Sequence, residues 1–132
     1  MKALPLDPEH TYVLLTTDGT SRMTPGGEAF WSLPPDVSAA FDDGWLISEF
    51  VCAADWNNWE MHPDGDEFVY LLSGDVEFLM ELPDGIVAQR LAGRGATIVP
   101  RGTWHTAKVF APSRLLFVTR GAGTRHRAAT SV

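Results

Sequence analysis

The stretch WEMHPDGDEFVYLLSGDVEFLME, Trp59 to Glu81, combines an acidic turn with a long apolar segment. Its Pro-Asp-Gly-Asp turn (63–66) is flanked by one histidine and two glutamates, Glu60, His62 and Glu67. Glu60 and His62 are two residues apart, so on a strand their side chains leave the same face. Glu67 begins the next strand and can point back towards the same space. The stretch is therefore either a hairpin with solvated charges or three ligands for a metal ion.

A fourth candidate ligand, His105, follows the turn PRGTWH (100–105) much later in the chain. Two imidazoles and up to two carboxylates form a sensible site for a divalent ion. Imidazole suits Fe, Ni, Cu and Zn, whereas carboxylate oxygens bring in Mn and Fe. Two histidines and one carboxylate on one face of an ion would leave positions open for substrate or oxygen. Asp64 and Asp66 lie within the first turn and are interpreted as turn formers.

The rest of the chain is typical of short strands joined by turns. The predicted strands cover residues 11–17, 45–54, 68–74, 76–82, 86–92, 96–100, 106–111 and 114–120. Short strands at this spacing favour an all-β sandwich or barrel. One short helix is expected within EAFWSLPPDVSAAFDD (28–43), where two prolines interrupt the segment. The tail 121–132 has no aliphatic core residues and is expected to be frayed.

Length, charge and cysteine content exclude several classes of protein. The chain has 132 residues, which suits one domain, and its net charge of −7 argues against nucleic acid as the main partner. No run of about 18 apolar residues is present, so we expect no membrane span. The first residues lack the long apolar region of a signal peptide. The one cysteine, Cys52, has apolar neighbours and indicates a buried thiol in a cytoplasmic protein.

Acidic and basic residues occupy different halves of the sequence. From Asp36 to Asp84 there are thirteen acids and no Lys or Arg, whereas from Arg90 onward there are eight Lys or Arg and no acid. If strands from the two halves interleave, opposite charges meet across strands, which stabilises by roughly 0.2–1 kcal/mol per pair. The pattern favours an interleaved fold over two separate halves.

The candidate ligands lie in segments that resemble the two motifs of the cupin superfamily. The second half of the first motif, G(X)5HXH(X)3–4E(X)6G, is matched by Glu60-Met61-His62, four residues, Glu67, six residues and Gly74. The second motif, G(X)5PXG(X)2H(X)3N, is matched by Gly95, four residues, Pro100-Arg101-Gly102, two residues and His105. The resemblance implies a double-stranded β-helix (jelly-roll) barrel with at most one or two short helices.

The resemblance also implies a domain layout. A single cupin domain would span residues 1–132, with its barrel core at about 45–120. An N-terminal strand and arm would occupy 1–44, and the frayed tail 121–132.

The resemblance implies that His62, Glu67 and His105 are metal ligands, with Glu60 in the place of the first motif's first histidine. The glycine that should lead the first motif is Ala54, and the second motif is one residue short before its proline. Glu60 is the serious departure, because a carboxylate would favour a harder ion than a site of three histidines does. It is either a fourth ligand or a catalytic general base, or the site has lost its metal.

The function implied is a small metal-binding cupin that acts on a small organic molecule. One divalent ion (Fe, Mn, Zn or Ni) would serve as a Lewis acid or as an oxygen-activating centre. Dioxygenase, isomerase and lyase chemistry all remain open. The alternative is a non-catalytic cupin that binds or senses a small ligand, possibly without metal. By analogy with small cupins, a homodimer is expected, and neither nucleic acid nor a membrane is an expected partner.

Three tryptophans, Trp56, Trp59 and Trp104, flank the candidate ligands in sequence. They either pack in the core and barrel rim or line the barrel mouth and grip an apolar or aromatic ligand. Arg101 could pair with a substrate carboxylate, although a surface role is favoured. His126 lies outside both motifs and is interpreted as a surface residue.

Overall fold

The structure is a computed structural model, and it describes residues 1–129. The strands are β1 (Thr11–Thr16), β2 (Ser21–Pro25), β3 (Gly44–Cys52), β4 (Asn58–Met61), β5 (Glu67–Leu82), β6 (Gly85–Ala92), β7 (Gly95–Val99), β8 (His105–Thr119) and β9 (Arg125–Ala128). The helices are α1 (Glu28–Trp31) and α2 (Pro35–Ser38), followed by a 3-10 turn, Ala39–Phe41.

Two long antiparallel strands, β5 and β8, pair with each other and pass through two sheets. At one end, β8 pairs with β3 and β5 pairs with β7, which gives the order β2-β1-β3-β8-β5-β7. At the other end, β8 pairs with β4 and β5 pairs with β6, which gives β9-β4-β8-β5-β6. The two sheets enclose the interior, as the expected jelly roll requires.

Both long strands change sheet where their pairing is irregular. The register shifts three times between Leu71 and Val76, as at β-bulges. Gly74, in this region, has a φ of 114°, and a Cβ built there would lie 2.2 Å from Oγ of Ser113 on the facing strand. Glycine is therefore required for the close approach of the two backbones.

The main core lies between the sheets. Alternate residues of β5 and β8 point inwards and form its centre, because side chains on a strand alternate between faces. The buried set is Val69, Leu71, Val76, Phe78, Met80, Leu91, Val99, Ala107, Leu115 and Phe117. A smaller cluster of Tyr12, Leu14, Phe30 and Leu46 joins α1 to β1 and β3.

The segment between β2 and β3 is helical, as its sequence predicted, but divided. Pro34 and Pro35 separate α1 from α2, and Pro35 occupies the first turn of α2, where no backbone donor is needed. The two four-residue helices agree with the expectation of at most one or two short helices. Within residues 1–129 no helix is long and apolar enough to cross a membrane.

Several sequence predictions need correction. The stretches 68–74 and 76–82 are one bulged strand, and so are 106–111 and 114–120. The tail is not frayed throughout, because β9 pairs with β4 through backbone hydrogen bonds that need no apolar pattern. Residues 130–132 of that tail lie outside the described residues.

Opposite charges from the two halves of the sequence meet, as interleaving requires. The ion pairs that link an acid of the first half to an arginine of the second are Glu49–Arg114, Asp64–Arg120, Asp75–Arg90 and Glu81–Arg127.

Candidate metal centre

The four sequence-predicted ligands come together between the two sheets. Glu60 lies on β4, His62 directly after it, and His105 is the first residue of β8. Glu67 is the first residue of β5 and belongs to the opposite sheet through its pairing with Val99. The turn 63–66 therefore crosses between sheets instead of closing a hairpin, which corrects the predicted local geometry. The side chains converge across the interior of the barrel.

The ligand atoms are close enough to share one ion. Nε2 of His62 and Nε2 of His105 each lie 3.3 Å from an oxygen of Glu67. Oε2 of Glu60 lies 3.7 Å from Nε2 of His62 and 4.0 Å from Nε2 of His105. Two ligand atoms at right angles on one ion, each bonded at about 2.1 Å, lie about 3 Å apart. The two contacts to Glu67 have this scale, and Glu60, His62 and His105 each offer a ligand atom within 4.8 Å of the other two.

Three of these atoms are buried and have no hydrogen-bond partner among residues 1–129. They are Nε2 of His62, Oε1 of Glu67 and Nε2 of His105. Buried polar atoms are rarely left unpaired, because burial removes their hydrogen bonds to water. All three face the same space, so the residues present fit a bound cation.

The orientation of His62 is set by Thr124. Nδ1 of His62 lies 2.8 Å from Oγ1 of Thr124, and that hydroxyl donates its own proton to the carbonyl of Gly121 at 2.8 Å. Since a hydroxyl has one proton, the imidazole must be the donor in the first contact. Nε2 of His62 is then free to offer its lone pair to an ion.

His105 is held in the same way by the backbone. Its Nδ1 lies 3.1 Å from the carbonyl oxygen of Thr103, which can only accept. The ring is completely buried. Although burial alone would lower the pKa of His105, its interaction with Glu67 raises it above the ordinary value. Both imidazoles thus direct Nε2 at the carboxylate between them.

Glu67 is the central anion of the cluster. It is 3% exposed, and its Oε2 accepts a hydrogen bond of 2.5 Å from the hydroxyl of Thr119. Although burial alone would raise the pKa of Glu67, its interactions with His105 and His62 lower it to about 2. The residue is therefore a carboxylate throughout the physiological range and can bind a cation through Oε1.

Glu60 is the most accessible member of the cluster. Its side chain is 28% exposed, and it lies opposite His105 on one side and His126 on the other in strand register. Nδ1 of His126 lies 3.8 Å from Oε1 of Glu60. His126 is half-exposed, yet it also lines the cavity described below. Its position corrects the interpretation of this histidine as a surface residue alone.

The two motif turns are tied to each other. Asp66 accepts a hydrogen bond of 2.7 Å from the backbone N–H of Arg101, and the N–H of Gly102 donates to the carbonyl of His62 at 2.9 Å. Asp64 pairs with Arg120 at 2.9 Å. The turn aspartates therefore fix the loops and do not take part in the cluster. Arg101 lies on the exposed side of its turn, away from the cavity.

A cavity of about 770 Å³ opens from the cluster between the sheets and the helical segment. This volume is within the usual range for small-molecule sites. Glu60, His62 and Glu67 form one part of its lining. The aromatic part of the lining is Phe30, Trp31, Phe41, Phe50, Trp56 and Phe117.

The three tryptophans near the motifs occupy two different environments. Trp56 lines the cavity, and its ring centre lies 6.3 Å from that of His105. Trp59 is buried, and the guanidinium of Arg127 lies over both its ring and that of Trp104. Neither of these two lines the cavity. Of the three tryptophans considered as cavity residues, Trp56 alone lines the cavity that the structure describes.

Three solved structures are similar to this chain at low sequence identity. Peruvianin-I, a cysteine peptidase from Thevetia peruviana latex, aligns over 66% of this chain and 58% of its own, with 15% identity and a TM-score of 0.55. Bacillus subtilis oxalate decarboxylase, described with Mn(II) centres, aligns over 64% of this chain and 23% of its own, with 15% identity and a TM-score of 0.51. A cupin-2 domain containing protein from Shewanella frigidimarina aligns over 56% and 68%, with 15% identity and a TM-score of 0.45.

These likenesses concern the fold. The chain spans less than two thirds of the length of the first two proteins and of several other similar structures. The sequence matches no protein-family model and no curated protein. Two antiparallel sheets that share β5 and β8 around an internal polar cluster show that this chain is a jelly roll, and the first two likenesses support that fold.

Proposed function

We propose that this chain binds one divalent first-row metal ion and acts on a small organic molecule. The observation that carries the proposal is the group of three buried, unpartnered atoms on His62, Glu67 and His105. Glu60 completes a set of two nitrogen and two oxygen ligands. The Mn(II) centres described for the decarboxylase of similar fold support the proposal of a divalent first-row ion.

The donor set favours a hard or intermediate ion. Two carboxylates and two imidazoles suit Mn and Fe, whereas zinc and nickel would also accept the imidazoles. When bound, such an ion supplies Lewis-acid activation of a substrate oxygen or, if it is iron, oxygen chemistry. Four protein ligands on a six-coordinate ion would leave two positions, and Glu60, His62 and Glu67 also line the cavity that would hold the substrate.

Glu60 has two possible roles within this proposal. It is either the fourth ligand or a base that takes a proton from a substrate held in the cavity. Its partial exposure and its place in the cavity lining support the second role, because a base must reach the substrate directly or through one water. His126 lies on its other side, with Nδ1 3.8 Å from Oε1 of Glu60, which is longer than a hydrogen bond.

The rival proposal is a module that binds or senses a small ligand without chemistry. A closed shell with all four side chains on the ion would favour it, because no position would remain for a substrate. The open cavity beside the cluster supports the enzyme more than the module. The homodimer and the cytoplasmic location stay predictions, which light scattering and cell fractionation would check.

The first experiment is metal analysis by elemental mass spectrometry on protein purified without a nickel column. We expect about one first-row ion per chain in the parent protein and its loss in His62→Ala. The control is Arg101→Ala, which removes an exposed basic side chain outside the cavity. Iron would indicate oxygen chemistry, and zinc or manganese would indicate Lewis-acid chemistry.

A second variant, Glu60→Gln, separates the two roles of that residue. Metal retained with activity lost would make Glu60 a base, and loss of metal would make it a ligand. The metal proposal would be wrong if the parent protein held no ion even after incubation with Fe(II), Mn(II), Zn(II) and Ni(II).

A further inference from the structure

The cavity has an unusual charge balance. Four carboxylates line it: Asp42, Asp55, Glu60 and Glu67. Within residues 1–129 no lysine or arginine side chain contributes to the lining, and its only basic groups are His62 and His126. Even with a divalent ion bound, the cavity would keep an excess of negative charge. A substrate with a free carboxylate or phosphate would therefore lose its hydration, and away from the ion it would meet carboxylates and no lysine or arginine among residues 1–129.

The two carboxylates away from the cluster strengthen this argument. Neither Asp42 nor Asp55 takes part in an ion pair among the described residues. Asp55 accepts a hydrogen bond of 2.7 Å from the backbone N–H of Val109, which fixes its position. Burial and the nearby Asp64 raise the pKa of Asp42, so this end of the cavity already disfavours further negative charge.

The apolar wall is made largely of flat rings. Phe50 and Phe117 are stacked with ring centres 4.7 Å apart and planes at 9°, and Trp56 lies 6.0 Å from Phe117. Trp56 is also the wall residue beside His105. A flat aromatic ligand against this wall would gain stacking or edge-to-face contacts that an aliphatic ligand of equal size lacks. Its oxygen substituent would then point towards the cluster.

We propose that the cavity takes an uncharged aromatic compound whose hydroxyl or carbonyl oxygen reaches the ion, an inference that rests on the metal-binding function proposed above. Selection follows from two separate features: the ring wall recognises the aromatic part, and the carboxylates reject an anion. Arg101, considered above as a partner for a substrate carboxylate, has no part in this site.

The test is calorimetric titration of the zinc-loaded protein with three probes of similar size. The probes are 4-methylphenol, the permanently anionic 4-hydroxybenzenesulfonate and the aliphatic 4-methylcyclohexanol. We expect 4-methylphenol to bind about tenfold or more tightly than the sulfonate. We expect it to bind about 2- to 10-fold more tightly than the cyclohexanol, as aromatic contacts predict.

Matched variants assign each preference to its cause. The double variant Asp42→Asn/Asp55→Asn should reduce the difference in affinity between 4-methylphenol and the sulfonate. The control Asp36→Asn/Asp84→Asn makes the same charge change outside the cavity and should leave that difference unchanged. Trp56→Leu should weaken 4-methylphenol about 2- to 10-fold. Trp104→Leu changes a tryptophan outside the cavity and should leave the affinity for 4-methylphenol unchanged.

The outcomes separate this inference from the metal proposal because zinc content is measured on the same samples. Zinc retained with equal affinity for phenol and sulfonate would overturn the inference and leave the metal site intact. Absence of zinc would count against the part of the inference that places the oxygen on the ion, and absence of manganese, iron and nickel as well would overturn the metal proposal. The preference for uncharged rings would then be judged from the same titrations without metal.

Discussion

Replacing Thr124 with valine tests whether the orientation of His62 determines metal affinity. Valine has the shape of threonine but cannot accept the hydrogen bond that Nδ1 of His62 donates over 2.8 Å. The imidazole then has a buried N–H without a partner, which costs about 1–3 kcal/mol. It can avoid that cost by moving its proton to Nε2, which removes the lone pair offered to the ion. Either response makes the orientation of His62 that binds the ion less favourable.

The expected effect on metal affinity is a loss of about 10- to 100-fold, the usual result of removing a partner of a ligating histidine. That corresponds to about 1.4–2.7 kcal/mol of binding free energy. Affinity would be measured by competition with a chromophoric chelator, and stability by urea unfolding in the presence of EDTA. The control is Thr106→Val, because the buried Thr106 hydroxyl donates to the carbonyl of Asn58 at 2.8 Å without touching a proposed ligand.

The two variants should lose similar stability and differ in metal affinity. If Thr124→Val bound the ion as tightly as the parent protein, the hydroxyl would not set the orientation of the ligand. If Thr106→Val weakened metal binding equally, the loss would be a general effect of a disturbed barrel. Either result would refute the reasoning.

Three further predictions concern the fold and its pH dependence. In the metal-free protein the pKa of Glu67 is about 2, below its ordinary value of 4.5, so the stability it contributes is present above pH 4.5 and is lost as the pH falls towards 2. Urea unfolding at several pH values, with Glu67→Gln as the control lacking this dependence, measures the effect. Gly74→Ala should lower the free energy of unfolding by several kcal/mol, because the added Cβ would lie 2.2 Å from Oγ of Ser113. Gly95→Ala is the control and should lower it only slightly, because the nearest atom to a Cβ there lies 3.5 Å away. Equal unfolding midpoints for the two alanine variants would contradict the close approach at the bulge. Arg114→Met should lower the urea midpoint only slightly. The guanidinium pairs with Glu9 and Glu49, but it is partly exposed, so water and salt screen both ion pairs. A large fall in the midpoint would contradict this expectation.

The sequence predicted most of the site because the relevant information is local. The spacing of Glu60 and His62 fixes a common face on any strand, and the turn residues mark where Glu67 and His105 begin their strands. These two signals require no knowledge of which strands are neighbours. They were sufficient to predict four side chains that the structure brings within reach of one another.

The predictions were wrong where the structure depends on which distant strands pair with each other. The turn 63–66 looks like a hairpin turn, yet β4 pairs with β8 and β9, both distant in sequence. Gly74 looked like the end of a strand, although the strand continues through a bulge. β9 has no alternation of apolar and polar residues and is held by backbone pairing with β4, so no sequence pattern predicted it. His126 and Thr124 were missed for the same reason, because their contacts to the cluster depend on where the tail returns.

The return of that tail explains how a glutamate can stand where a histidine is usual. Glu60 faces imidazoles on three sides: His62, His105 and, through β9, His126. Glu67 lies between the first two of these rings. Two neighbouring carboxylates in one interior repel each other unless cations lie between them. Although burial alone would lower the pKa of His105, its interactions with Glu67 and Glu60 raise it, and a divalent ion would supply positive charge in the same space. Glu60 is therefore compatible with the fold because imidazoles lie on three sides of it, and the same arrangement supports the cation site proposed above.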